Sequence, residues 1–406
     1  MINYRKFLSE KYTINSLLYI LPTILTCLCA VRNQHEFFSL PYTIMLLLLL
    51  LWGFFWRNRF NLYYLKENIP FFITLFLCFM LQFINNKDYF DSIEAVKGIL
   101  LYIITICVCS FFINKRYYLY YWEIINFFSL MGSICIILQA TLFKIGIRLD
   151  NIQVFKETLF NAWEFDRSFR PCGLFSEPSH FAELATISLF YYLFINRSEK
   201  KLIVISLGLI MSTSMLGIMS IPILLGIYIL TLKKATFIHK LFIGIITLVV
   251  LMGIYYYFIA DYSWLNERIF LGGTFGNRTL RSIEIFNRLD FWESLYGIGL
   301  QNQTFFLNYM GIILESDAFD TLENREYAQT LGYILCTNGI IGFVVFYMQF
   351  ILIWKKSELT TKVFLIWFSI ILSTCCILTR PIFVIYLVTL GNLYYVKRSG
   401  LNYDEI

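Results

Sequence analysis

The stretch RPCGLFSEPSHF, from Arg170 to Phe181, decides how the rest of the chain is read. It sets two prolines, a glycine, an arginine, a glutamate and a histidine against a run that stays apolar to residue 196. Pro178 suits the first turn of a helix, where its missing N–H costs nothing. The residue before a proline avoids the α region, so Glu177 is expected at or beside the N-cap. The helix then begins at a membrane surface with the positive end of its dipole outward, where anions are welcome. Capping alone accounts for Glu177. It does not account for Arg170 and His180 in the same lip, nor for Glu183 one turn inside the apolar run. A charge at mid-span costs roughly 2.5–3.5 kcal/mol on insertion scales, and less at shallow depth. Glu183 therefore asks for a partner, with Arg170 or His180 within reach.

The composition places this lip in a membrane protein. The chain has 406 residues, 58% hydrophobic, 19% aromatic and only 15% charged, with a mean hydropathy of +0.66. Soluble domains carry about 25% charged residues. In this setting the net charge of +6 is no nucleic-acid signal. Runs long enough to cross about 30 Å of hydrocarbon fall near 13–31, 37–56, 68–86, 95–114, 118–143, 179–196, 240–260, 329–354, 361–379 and 381–396. The apolar stretch 201–232 is interrupted by Ser-Thr-Ser at 212–214, which predicts two short spans joined by a tight turn. The expectation is an all-α polytopic protein of about twelve spans forming one membrane domain over 1–406. Two long outer loops interrupt it, at 144–178 and 261–328. With both termini in the cytoplasm, 19 Lys and Arg fall on inner segments and only Arg32, Lys87, Lys97 and Arg380 on short outer ones. That asymmetry is the positive-inside pattern. The basic start MINYRKFLSEK is expected to stay attached to the first span.

Nine of the ten cysteines sit in apolar runs and only Cys172 in a loop, so neither a disulfide framework nor a CxxC metal pair can be drawn. His35, His180 and His239 are too scattered for a metal site. No cofactor is expected.

Of the ten basic residues in the long loops, eight are Arg. The guanidinium fork matches carboxylate and phosphate oxygens two at a time. Trp163 and Phe165 suit stacking on sugar faces or anchoring in the headgroup layer. In the second loop, RTLRSIEIFNRLDFWESL has helical spacing, with Ile283, Phe286, Leu289 and Trp292 on one side. Arg278, Arg281 and Arg288 fall near one another. This predicts an amphipathic helix over the membrane surface. YGIGLQN follows as a turn or close-approach element at Gly297 and Gly299. In AQTLGYILCTNGIIGF, Asn338 and Gly339 predict a broken helix.

These three stretches together resemble the O-antigen ligase and polymerase superfamily of bacterial envelope glycosyltransferases. The likeness rests on an arginine followed by G-x-F-x-E-P-S-x-F-A, an arginine helix with a G-x-G turn, and a closing N-G-I-I-G helix. Arg281 and Gly297, with fifteen residues between them, match a polymerase spacing; the first loop lacks that spacing to Gly173. Ligases carry a histidine at the start of the closing helix, where Ala328 and Gln329 stand here, and this favours a polymerase. The resemblance implies a GT-C-like fold in the bacterial inner membrane. Its implied substrate is an oligosaccharide on undecaprenyl diphosphate, held in membrane lipid and polymerised at the periplasmic face into O-antigen or a related polysaccharide, without a metal. A chain-length regulator and a flippase would be its partners. Arg170, Arg278, Arg281 and Arg288 would bind the diphosphate, with Arg281 also catalytic. Glu177 is the first candidate base and His180 the second. The competing readings are O-antigen ligase and a flippase for lipid-linked sugars. A transporter would more often show mid-span charges and two matched halves with broken helices.

Overall fold

The computed structural model describes residues 14–31, 41–55, 60–85, 88–113, 115–149, 153–154, 157–158, 161–165, 168–231, 282–311 and 329–396, with isolated positions between 236 and 253. Most of the expected span at 240–260, residues 261–281 and 312–328 of the second loop, and both termini lie outside this set. The protein is predominantly helical. Among the described residues, four helices are long and apolar enough to cross a membrane: Leu62–Asn85, Ser92–Phe112, Tyr120–Lys144 and Thr330–Lys356. Shorter apolar helices accompany them, among them Tyr42–Phe55, Met215–Thr231 and Leu359–Thr374. Large apolar side chains such as Phe55, Ile73, Leu77 and Ile84 face outward. Such faces fit a polytopic membrane protein better than one bathed in water.

The chain divides into two compact units. One, the hairpin unit, comprises Asn3–Met45 and Arg116–Leu271. Its helices are α1 (Ile14–Val31), α5 (Lys115–Lys144), α6 (Pro178–Phe194), α7 (Glu199–Met211) and α8 (Met215–Thr231). Helix α6 is its centre. Its hydrophobicity has no preferred side, and Phe181, Leu184, Ile187 and Phe190 are all fully buried, as expected of a helix apolar all round. Small residues let neighbours close in. A Cβ on Gly132 would lie 2.7 Å from the Phe175 ring, and one on Gly208 would lie 2.7 Å from Ser133 Cβ. Ser188 donates to Ser129 across the α5–α6 contact at 2.8 Å. The turn predicted at 212–214 is present, joining the short helices α7 and α8.

The helical class is as expected, and the first long loop adds two short antiparallel pairs to it. Strands Gln153–Val154 and Glu157–Thr158 pair antiparallel, and so do Asn161–Phe165 (β3) and Ser168–Gly173 (β4). Cys172, read as a loop residue, lies in β4 and is fully buried. β-branched and aromatic residues between polar turns suit a hairpin. Phe169 stacks on Phe143 of α5, with ring centres 4.0 Å apart.

The other, the kinked-helix unit, contains Leu46–Lys115 and Gly272–Ile406. Its helices are α2 (Tyr42–Phe55, most of it here), α3 (Leu62–Asn85), α4 (Ser92–Phe112), α9 (Phe291–Tyr296), α10 (Gln303–Tyr309), α11 (Thr330–Lys356), α12 (Leu359–Thr374) and α13 (Pro381–Gly391). Helix α11 breaks where expected: Gly339 has φ 64° and ψ −172°. The G-x-G turn docks into that break. The N–H of Ile298 donates to Cys336 O at 3.1 Å, and that of Gly299 to Thr337 O at 2.9 Å. From inside α3, Gln82 Nε2 donates to Tyr296 O at 2.9 Å, with Gly297 O and Thr337 O at 3.2 and 3.3 Å. Buried backbone freed by a helix break has to find partners within the protein, and Gln82 supplies them. Gln82→Leu keeps the bulk and strands Tyr296 O and Gly297 O. It is expected to cost about 1–3 kcal/mol, read as a lower thermal unfolding midpoint in detergent; an unchanged midpoint contradicts it.

The single amphipathic helix expected across 278–295 is corrected too. Residues 282–287 are helical, the chain then breaks, and α9 starts afresh. Asp290 causes the break. Its carboxylate accepts from Glu293 N at 2.7 Å while Glu293 accepts from Asp290 N at 2.9 Å, a reciprocal capping box. Ile285 is fully buried; of the four residues expected on one apolar side, Phe286 and Leu289 pack beside it while Ile283 and Trp292 are exposed. Tyr89 donates to Glu293 Oε1 at 2.6 Å. Burial first, and that carboxylate second, raise the Tyr89 phenol above its usual range.

Candidate functional site

In the hairpin unit, β4 delivers Arg170, the loop after it delivers Ser176 and Glu177, the first turn of α6 delivers Ser179 and His180, and its second turn Glu183. The loop is tied down at both ends. Gly173 adopts φ 59° and donates its N–H to Gln139 Oε1 at 2.9 Å. The N–H of Ser176 donates to Val31 O of α1 at 3.2 Å. Glu177 is the N-cap residue, in extended conformation, with Pro178 at the first helical position, as the sequence predicts. Its carboxylate does not cap, however. It accepts from Ser179 Oγ at 2.9 Å instead. A glutamate at an N-cap that spends its side chain elsewhere is not explained by helix stability.

His180 is nearly fully buried. Its Nδ1 lies 2.8 Å from Ser176 Oγ, and its Nε2 lies 3.9 Å from Glu177 Oε2. That separation is too long for a direct hydrogen bond and is short enough for one hydroxyl to bridge. Glu177 sits at the mouth, its side chain 17% exposed against 2% for His180. Glu183 is also 2% exposed.

Arg170 is 8% exposed. Its Nε donates to Thr213 Oγ1 at 3.3 Å and its Nη2 to Thr213 O at 3.4 Å. The turn Ser212–Thr213–Ser214 between α7 and α8 thereby joins the lip, and all three residues are buried. Thr213 and Ser176 are the site residues that the residue-by-residue reading missed. Their signal was present: three consecutive hydroxyl residues inside an apolar run, and a serine directly before the Glu-Pro pair.

Arg288 lies in the kinked-helix unit, where its Nη2 donates to Glu284 Oε1 at 2.8 Å on an exposed surface. Arg278, Arg281, Ala328 and the side chains of Trp163 and Phe165 lie outside the described residues. Among the described residues, no three His, Cys, Asp or Glu side chains gather as a metal site. The lip can therefore offer one buried guanidinium, one carboxylate at the mouth, and one imidazole behind it with a hydroxyl on its far nitrogen. The chain matches no protein-family model, and no curated protein matches its sequence.

Proposed function

We propose that the protein is an envelope glycosyltransferase that joins oligosaccharide units carried on a polyprenyl diphosphate, at the outer face of a bacterial plasma membrane. In this reading the chain has about twelve spans with a GT-C-like arrangement, both termini cytoplasmic, and the reaction is repeat-unit polymerisation. The observation that carries it is the start of α6: Glu177 Oε2 and His180 Nε2 stand 3.9 Å apart, the Glu177 side chain does no capping, and a buried Arg170 precedes them on β4. Glycosyl transfer from a diphosphate needs an acceptor hydroxyl deprotonated and the leaving diphosphate stabilised. A hydroxyl seated between Glu177 Oε2 and His180 Nε2, 3.9 Å apart, would hand its proton to one of them. Oriented cationic donors stabilise the charge that develops on the departing phosphate. Arg170 is the first such donor, and Arg278 and Arg281 are proposed to assist. Arg288 would first have to leave Glu284, and an exposed i,i+4 pair resists this by only about 0.3–0.5 kcal/mol.

The test is conversion of purified lipid-linked repeat units into a ladder of longer products by the purified chain. Transfer of labelled lipid across vesicles without any ladder would assign a flippase instead. Glu177→Gln separates the two roles open to this residue. The amide keeps the shape of the lip, so the unfolding midpoint is expected to hold. The rate of ladder formation should fall by about 10²–10⁴-fold, the usual worth of a general base. A ladder at the wild-type rate removes Glu177 from the chemistry.

A further inference from the structure

We propose that Thr213 is a positioning residue for Arg170, holding the guanidinium in a strained, buried turn by bonds that a phosphate oxygen displaces. This rests on the reading of Arg170 as a diphosphate ligand and adds how the arginine is kept before the ligand arrives.

Thr213 has φ 54°, the left-handed region, which β-branched residues rarely adopt. Such backbone persists only where its surroundings over-determine it, and it clusters at functional sites. Here they do. The N–H of Thr213 donates to Ile210 O at 3.0 Å. Ser212 Oγ donates to Leu209 O at 2.8 Å and accepts from Ser214 N at 3.3 Å. The hydroxyl direction of Thr213 is also set. Its one proton goes to Ser212 O at 2.8 Å, so toward Arg170 the oxygen presents lone pairs. The same residue therefore offers Arg170 two acceptors, hydroxyl and carbonyl, at a spacing matched to Nε and Nη2.

Both bonds are long. At 3.3 and 3.4 Å they lie beyond the usual 2.9–3.0 Å for N–H···O, and both acceptors are neutral. A phosphate oxygen takes the same N–H groups at about 2.7–2.9 Å with charge assistance. Burial adds to this. Ser212, Thr213 and Ser214 are all buried, and buried N–H groups need acceptors within the protein. Thr213 offers two of the guanidinium N–H groups acceptors weak enough to give way.

The experiment uses the purified full chain in nanodiscs, with inorganic diphosphate as the probe and the thermal midpoint read in parallel. Thr213→Ser keeps the hydroxyl and is expected to bind within a few fold of wild type. Thr213→Val removes it at constant shape, and Thr213→Gly removes it while relaxing the backbone; both are expected to weaken binding about tenfold at an unchanged midpoint. Should the valine variant fail to fold, the serine and glycine pair decides alone, since glycine accepts this φ without strain. Wild-type binding that the variants lacking the hydroxyl retain overturns the positioning role and leaves Arg170 as the ligand. Loss in the serine variant together with a lowered midpoint makes Thr213 purely structural and also overturns it. A wild-type chain that does not bind diphosphate overturns the Arg170 reading itself.

Discussion

Arg170→Ala is expected to leave the protein in the membrane and stop chain growth at a single repeat unit, with the ladder rate down by about 10²–10³-fold. That is the loss seen when one preorganised donor is removed from a developing negative charge. The guanidinium is almost fully buried, with the hydroxyl and carbonyl of Thr213 among its acceptors. Its charge is therefore little screened, and its interaction with a phosphate would be strong. Two variants keep the result interpretable. Alanine also strands Thr213 O, which costs about 1–3 kcal/mol of stability, so the unfolding midpoint must be measured beside the ladder. Arg170→Lys keeps the charge and gives up the two-pronged fork; its rate is expected to lie between alanine and wild type. A folded Arg170→Ala protein that still makes full-length polymer ends the phosphate role. Arg281→Ala in the same assay asks whether the second loop contributes a guanidinium to the same phosphates.

The sequence was most legible where one residue type has one physical use. Pro178 after Glu177 located the start of α6, because proline fits the first turn and restricts its predecessor. Asn338–Gly339 located the break in α11, and Ser-Thr-Ser the turn between α7 and α8. The amphipathic helix was misread because hydrophobic spacing continues through Asp290. Periodicity does not register that an Asp with a Glu three residues on can start a new helix. The hairpin in the first loop was missed because short strands between aromatic residues leave little periodic signal. At the site, Glu177, His180 and Arg170 stood out as polar residues in apolar surroundings. Thr213 is 43 residues from Arg170, and only tertiary packing brings that pair together. Arg288 shows the opposite: an attractive cation in sequence whose acid, Glu284, lay one turn away on its own helix.

Gly297→Ala and Gly339→Ala are each expected to destabilise the protein on the order of 4 kcal/mol, among the largest effects of any single substitution here. The two glycines are the two sides of one contact. Gly297 has φ 81° and ψ −179°, and Gly339 has φ 64° and ψ −172°, a region that is essentially glycine's alone. A Cβ on Gly297 would collide with the Thr337 carbonyl, and one on Gly339 with the Leu295 carbonyl. Both obstacles are backbone, so no rotamer change relieves them. Separating the segments would break the bonds from Ile298 to Cys336 and from Gly299 to Thr337, and would pull Tyr296 O and Gly297 O away from Gln82. Because each alanine opens the same interface, the double variant should cost little more than either single one, a large departure from additivity. Gly226→Ala is the control. Nothing lies within 4 Å of its Cβ position on α8, so alanine there is expected to be neutral or to stabilise by about 0.5–1 kcal/mol. Additive losses at 297 and 339, or losses no larger than those of surface substitutions, would mean that the turn and the broken helix are not one mechanical element. If they are, the orientation of the first half of α11 depends on α9 and its turn. Ladder formation should then fall in both alanine variants, even though neither glycine belongs to the lip.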